Sequence, residues 1–287
     1  MPINQLVDFA HSSKHKNDKC DGCTHTCTNK CNICLQEIHF DGNLRGYDCQ
    51  NMIYCYTCSY IYKYASEIDY LFKLHKCESF SEFNILSLGC GSCADLFGIN
   101  NFLAKNNRLN VPIKYVGVDS NEKWTDTQSK ITEIFPLYSF SFINSDVFDY
   151  LDNISKNDFD APNILILQYL LNELVKHAKA KLPKFVDDLV GVIVDKMPDN
   201  SLVLINDINH NTMARDWFSI ISSKIRKTNL SVCFEYRFNE PTSHTYGGRK
   251  HENDQLLFTV PPVILQEYDV KQPCSSAQAV IYKTKSL

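Results

Sequence analysis

Nowhere in the 287 residues does an apolar run reach the roughly 18 to 20 residues needed to span a bilayer. The opening stretch, Met1 to Cys20, is polar and has no apolar centre of the signal-peptide kind. An excess of one charge is missing too. Lys plus Arg number 29 against 33 Asp plus Glu, a formal charge of -4, which excludes a uniformly basic nucleic-acid coat and leaves room only for a local basic patch. There is no internal repeat and no low-complexity tract. With 44% hydrophobic residues the chain can fill a core. These features predict a soluble, cytoplasmic protein without membrane contact, built as one ordinary domain with a small appendage.

Cysteine is unevenly distributed. Eight of the 13 lie between Cys20 and Cys58, and the odd total without an export signal argues against an extracellular disulfide framework. The spacing is Cys20-x2-Cys23-x3-Cys27-x3-Cys31-x2-Cys34, then Cys49-x5-Cys55-x2-Cys58. Paired thiolates on short knuckles suit closed tetrahedral zinc sites, and aliphatics are too few here for a hydrophobic core to hold the segment. Cys31, Cys34, Cys55 and Cys58 make the clearest set of four. Cys20, Cys23, Cys27 and Cys49 make a second by count, giving two expected Zn2+ ions, with His25 and His39 as substitutes and interleaved pairing left open. An iron-sulfur cluster is the competing metal reading, and incidental clustering the non-metal one. The expected organisation is a loose polar arm over 1–19, a zinc-binding module over 20–58, a connecting helix over 59–80 and a main domain over 81–287.

In the main domain apolar runs alternate with helical patterns. Strands are expected at Asn84–Leu88, Lys114–Val118, Ser139–Ile143, Asn163–Leu167, Ser201–Asn206, Ser231–Arg237 and Gln278–Thr284. Helices are expected at Ala94–Lys105, Trp124–Ile134, Leu170–Lys179, Lys184–Lys196 and Thr212–Arg226. Five βα units followed by two late strands predict an α/β fold, a mostly parallel sheet covered by helices with an antiparallel strand near its end.

The sharpest motif is Leu88-Gly89-Cys90-Gly91, where a buried strand turns directly into a helix. Gly89 permits the tight turn, and Gly91 lets a ligand approach backbone beside unpaired helix N–H groups. An ordinary βα turn is the bland alternative. The next strand ends Gly117-Val118-Asp119-Ser120, placing an acid where doubly wound folds hold a ribose diol, although such an Asp can also be a helix cap. These residues, with Asn144-Ser145-Asp146-Val147-Phe148, resemble the class I S-adenosylmethionine-dependent methyltransferases over about Phe83 to Leu287. The resemblance implies a Rossmann-like, seven-stranded sheet and S-adenosyl-L-methionine as cofactor. It further implies Gly89, Cys90 and Gly91 beside the methionine part, Asp119 and Ser120 at the ribose, Asp146 and Val147 at the adenine, and Gln168 at the end of the fourth strand. Cys93 departs from the glycine often found there. A dinucleotide is disfavoured because Ser92, Cys93, Ala94 and Asp95 follow Gly91 where a pyrophosphate fingerprint wants another glycine, and Gly98 is too far along the helix to replace it.

The fourth strand delivers Gln168, Tyr169 and Asn172 to the expected crevice. The segment lacks the Asn/Asp-Pro-Pro-aromatic signature of the common base-amino methylases. Tyr169 to Leu174 is similar instead to a helix start in methyltransferase-like proteins of small-subunit ribosomal RNA maturation. Tyr169, Asn172 and, after the fifth strand, His210 are the candidate catalytic residues. For each a structural role is also open: an aromatic on the sheet edge, a first helical turn, a loop beside a helix cap. Cys90 and Cys93 are read as structural rather than redox-active. Structured RNA is the favoured acceptor, approached along Lys14, Lys16, Lys19, Arg249 and Lys250; the last two equally suit a solvated hairpin tip. A protein or small-molecule acceptor, and a non-catalytic binding protein on the same scaffold, are the alternatives.

Overall fold

A computed structural model describes residues 1–14, 31–40, 47, 49–74, 80–210, 213–238 and 248–284. Among the described residues eight strands form one sheet: β1 (Phe83–Leu88), β2 (Ile113–Asp119), β3 (Ser139–Asn144), β4 (Ile164–Gln168), β5 (Leu202–Ile208), β6 (Ser231–Arg237), β7 (Arg249–Lys250) and β8 (Ser276–Lys283). Their order is β3-β2-β1-β4-β5-β8-β6-β7. The first five strands are parallel, while β8 runs antiparallel to β5 on one side and to β6 on the other. The seven expected strands are present and the late antiparallel strand is where the alternation placed it. The eighth, β7, is two residues long and is too short to leave a sequence pattern.

β1, β4 and β5 are nearly continuous apolar runs because helices cover both of their faces. On one face lie α6 (Val147–Lys156), α7 (Leu170–His177), α8 (Leu182–Asp188) and α9 (Asp216–Thr228), whose apolar stripes join Leu86, Leu88, Leu165 and Leu167 in one core. The strands' other face joins a second core with α4 (Ala94–Lys105), α5 (Thr125–Ile134) and the long α3 (Gln50–Lys73). A reversal of direction in the strand order falls between β1 and β4, so a crevice opens beyond the carboxyl ends of those two strands.

The N-terminal part differs from its expected organisation. The supposed loose arm contains α1 (Pro2–Ser13), an amphipathic helix that buries Ile3, Leu6, Val7 and Ala10. Pro2 is favourable at its start, where the missing N–H has no helical partner. The proposed boundary at 58/59 cuts through α3, which is continuous from Gln50 and carries Cys55 and Cys58 in its first turns. α2 (Cys31–Phe40) packs beside it. α3 and α4 cross so closely at Gly98 that a Cβ there would collide with the carbonyl oxygen of Ala65. Gly98 therefore serves helix packing and has no part in a phosphate loop. Asp69, fully buried on α3, seals the crossing by accepting hydrogen bonds from Asn101 Nδ2 (2.5 Å) and Lys105 Nζ (3.4 Å) and pairing with Lys73 (2.9 Å).

Candidate functional site

A cavity of about 1140 Å³ occupies the crevice. Its floor is the β1–α4 turn, where Gly89 and Gly91 take φ of +71° and +47°, values that an L side chain rarely adopts. Cys93 also has positive φ (+52°), which explains why glycine suits that place and means a non-glycine residue holds it under strain. Asp119 ends β2 directly beside this turn. Its Oδ2 accepts from the Gly91 N–H at 2.9 Å and its Oδ1 from the Asn121 N–H at 2.9 Å. Burial pushes this carboxyl above the usual carboxylate range, and the two backbone donors pull it back. Each oxygen keeps a lone pair, so the group can still accept from a diol facing the cavity.

Asp146 lines the cavity as the N-cap of α6, its Oδ1 accepting from the Phe148 N–H at 2.8 Å. Ser120, Val147 and Gln168 line it as well, and Gln168 Nε2 donates to the Tyr64 carbonyl (3.0 Å), tying β4 to α3. Cys90 borders the cavity, and its free thiol is pushed up first by a hydrogen bond with the Cys93 thiol and then by burial. Asp95 turns inward, accepting from the Tyr115 hydroxyl at 2.9 and 3.1 Å, so it does not face a ligand.

The three candidate catalytic residues have different fates. Tyr169, with φ +56°, stands at the end of β4 and lines the cavity, but its hydroxyl donates to Glu67 at 2.8 Å. It presents its ring to the cavity. Asn172 lines the cavity at 2% exposure, and its Oδ1 has no hydrogen-bond partner among the described residues. His210 is exposed and is not part of the cavity wall, which β5 reaches through Ile208 instead. The lining stops two residues short of His210, and the cavity gives no support to the role expected for it.

Sequence reasoning missed the roof. Tyr56, Tyr60 and Tyr64, spaced by four on α3, form one face of that helix and line the cavity with Lys63, while Tyr47 enters from the cysteine-rich segment. Asn121 Nδ2 holds the Tyr47 carbonyl at 2.9 Å. Behind the tyrosines, the fully buried Glu67 accepts from Tyr169, from Asn206 Nδ2 (3.0 Å) and from the backbone N–H groups of Ser275 (3.0 Å) and Ser276 (3.3 Å). This clamp joins α3 to β4, β5 and β8 at the carboxyl end of the sheet. The tyrosine period of four was its only sequence signal.

The expected metal module lies partly outside the described residues, which include Cys31, Cys34, Cys49, Cys55 and Cys58 but not Cys20, Cys23 or Cys27. Among the described residues no group of three or more His, Cys, Asp or Glu side chains is placed to hold a metal ion. Cys55 donates to Asn32 Oδ1 at 2.9 Å, and Cys58 faces the Val7 carbonyl of α1. Burial pushes their thiols up to about 11 and about 12. The set Cys31, Cys34, Cys55 and Cys58 is therefore not assembled as a site. The expected basic path fares similarly: Lys14 lies over the Tyr268 ring (4.4 Å), Arg249 over the Phe234 ring (5.6 Å), neither they nor Lys250 line the cavity, and Lys16 and Lys19 lie outside the described residues.

No protein-family model matches the chain, and no curated protein matches it. Among solved structures, it is similar to a plantazolicin methyltransferase in complex with SAH, at 13% identity and a TM-score of 0.46, over 99% of this chain and 98% of that one. A putative class I S-adenosylmethionine-dependent methyltransferase from Listeria monocytogenes matches at 12% identity and a TM-score of 0.44, over 78% of this chain and 60% of that one. An rRNA methylase from Streptococcus thermophilus matches at 9% identity and a TM-score of 0.41, over 78% of this chain and 94% of that one. At such distances activity and substrate have to be read from the site itself.

Proposed function

We propose that the protein is an S-adenosylmethionine-dependent methyltransferase. The observation that carries this reading is the joint between Asp119 and the glycine turn: a carboxylate at the end of β2, held 2.9 Å from the Gly91 N–H, beside the switch point of the sheet. Asp119 would hold the ribose hydroxyls, the Gly89–Gly91 turn would admit the amino-acid part, and Asp146 with Val147 would border the adenine. When bound, the cofactor supplies an electrophilic methyl group. The protein's own residues then need to orient an acceptor and exclude water, which demands no conspicuous base. Tyr169 would offer a fixed ring, and Asn172 would stand beside it on the cavity wall.

Structured RNA is the acceptor we propose, supported by tyrosine rings alongside Lys63, Lys176, Lys181 and Lys271 around the cavity. A zinc-holding N-terminus is also proposed, through the second set by count, Cys20, Cys23, Cys27 and Cys49. Calorimetric titration of the intact protein with S-adenosylmethionine and S-adenosylhomocysteine tests the activity class, and failure of both to bind overturns it. Incubation with labelled donor and separated RNA, protein and metabolite fractions tests the acceptor. Label entering only protein or metabolites rejects RNA while preserving the methyltransferase.

A further inference from the structure

The turn that floors the cavity carries two thiols. Cys90, Gly91, Ser92 and Cys93 form one tight turn, closed by the Cys93 N–H donating to the Cys90 carbonyl at 2.7 Å. The ends of such a turn lie within about 7 Å of each other at Cα, and disulfides span about 4.4 to 6.8 Å. Both cysteines are free, and their thiols already share a hydrogen bond. Cys90 stands on the cavity wall, while Cys93 is fully buried as the N-cap of α4. From α5, Gln128 aims its Nε2 at the Cys90 sulfur at 3.7 Å. The Cys-x2-Cys pair on α3 is engaged elsewhere: Cys55 donates to Asn32, and Cys58 faces the Val7 carbonyl.

We infer that Cys90 and Cys93, expected to be structural, are a redox pair that closes to a disulfide and in closing shuts the donor site. The effect on the donor site rests on the methyl-donor reading of the cavity; the closure itself does not. The oxidant is a low-molecular-weight disulfide such as oxidised glutathione, admitted by the cavity. Cys90 gives up its proton and attacks one sulfur of that disulfide, so that a mixed disulfide forms and the original S–S bond breaks, releasing a thiolate that takes up the proton. Cys93 then gives up its proton, attacks the Cys90 sulfur from within the turn and expels the second thiolate, which is protonated in its turn. Two protein thiols are oxidised, and one small disulfide is reduced to two thiols. Only the first attack needs access from outside, so burial of Cys93 is no obstacle, and the second is favoured by proximity. The Cys93 thiol, burial and the carboxylates of Asp119 and Asp95 all keep Cys90 protonated. That slows the first attack, and it also denies the reduced form the thiolate stabilisation that makes a disulfide easy to reduce.

Closure draws the Cys90 sulfur to a bond of about 2 Å, away from Gln128 and from its place against Gly117 of β2, where it lies 2.8 Å from the position of an added Cβ. The Cys90–Gly91 peptide has to turn with it. That peptide's N–H is the one that Asp119 accepts from at 2.9 Å. Oxidation thereby loosens the acid that would hold the ribose.

The test equilibrates the intact protein in buffers of reduced and oxidised glutathione, blocks the remaining thiols by alkylation and maps the cysteines by mass spectrometry, with each form titrated in parallel with S-adenosylhomocysteine. Oxidised wild type should carry a Cys90–Cys93 disulfide, with affinity lowered by about fivefold or more, the loss of about one hydrogen bond, and recovered on adding a dithiol reductant. Cys93→Gly removes the second thiol where a φ of +52° suits glycine, so this variant should fold, and its Cys90 should stop at the mixed disulfide with glutathione. Wild-type protein in which Cys90 and Cys93 stay free, or each carries glutathione, overturns the pair. A Cys90–Cys93 disulfide that leaves the affinity unchanged overturns its hold on the donor site. Failure of S-adenosylhomocysteine to bind the reduced protein overturns the methyl-donor reading and the effect on that site with it, while the mapping still decides the pair.

Discussion

In the sheet, β1, β4 and β5 read as apolar runs, and packing on both faces requires just that pattern. In α3, by contrast, the sequence is crowded with Cys, Tyr and Ser, and it is nevertheless one of the most thoroughly buried elements, with Met52, Cys55, Cys58, Ile61, Tyr62 and Ala65 at 5% exposure or less. Strands achieve burial by composition. α3 achieves it by having partners on every side: α1, α4, the sheet and the aromatic cavity. A helix with so little aliphatic surface can be a core element when hydroxyls and thiols find acceptors, as Thr57 does at Ile53 O (3.0 Å) and Ser66 at Tyr62 O (2.7 Å).

The strongest way to break that contrast is Gly98→Val. Adding side-chain atoms at the α3–α4 crossing should cost on the order of 3 kcal/mol, because backbone and not a flexible side chain blocks the space. Chemical denaturation checks it, and an unchanged midpoint would mean that the crossing is looser than described. Asp119→Ala tests the sheet's side of the comparison. It should weaken S-adenosylhomocysteine binding at least tenfold, the loss of one or more charge-assisted hydrogen bonds of about 1.5 to 3 kcal/mol each, while the far-UV spectrum stays the same. Cys58→Ala sharpens the reading of the N-terminal helices: with the thiol acting as a small buried hydrophobe, stability should fall by about 1 kcal/mol and metal content by elemental analysis should match the wild type. Loss of a metal equivalent would return Cys58 to the ligand set.

A pH-dependent effect is expected at Asp207, at the end of β5. Its carboxylate caps the start of α7 through the Asn172 N–H (3.2 Å) and binds the Ile208 N–H (2.7 Å), yet burial raises it to about 7 from 3.8. The folded state therefore holds a proton between those values that the unfolded chain has released. The contribution of this group to stability is greatest below pH 4 and declines as pH rises toward 7. Asp207→Asn should flatten that decline in a pH series of unfolding midpoints; the same slope in wild type and variant would refute it.

The sequence was most readable where one physical rule decides the outcome. The ends of the seven expected strands fall within two residues of those found, and Ala94–Lys105 is matched residue for residue. α6 has no counterpart among the expected helices, because Asn144 to Phe148 resembles a ligand-binding segment, although Val147, Tyr150, Leu151 and Ile154 have the helical period. α1 was missed because its apolar stripe is only four residues, set among polar ones. In the site, Asp119 and the glycine turn were legible since backbone geometry restricts the residue types there. Glu67 was not, because nothing local marks a carboxylate whose partners lie about 100 to 210 positions away.

The insertion of β8 between β5 and β6 has a bearing on synthesis. While the chain is being made, the free edge of β5 waits unpaired until Ser276–Lys283 has emerged, and β6 with β7 has no neighbour through which to join the sheet. An apolar edge kept open in this way is a template for pairing with other nascent chains. Glu67, ready on the long helix made some two hundred residues earlier, accepts from the backbone N–H groups of Ser275 and Ser276 and offers its own carbonyl to Gln278. The same carboxylate that orients Tyr169 thereby gives the arriving strand a polar landmark for its register.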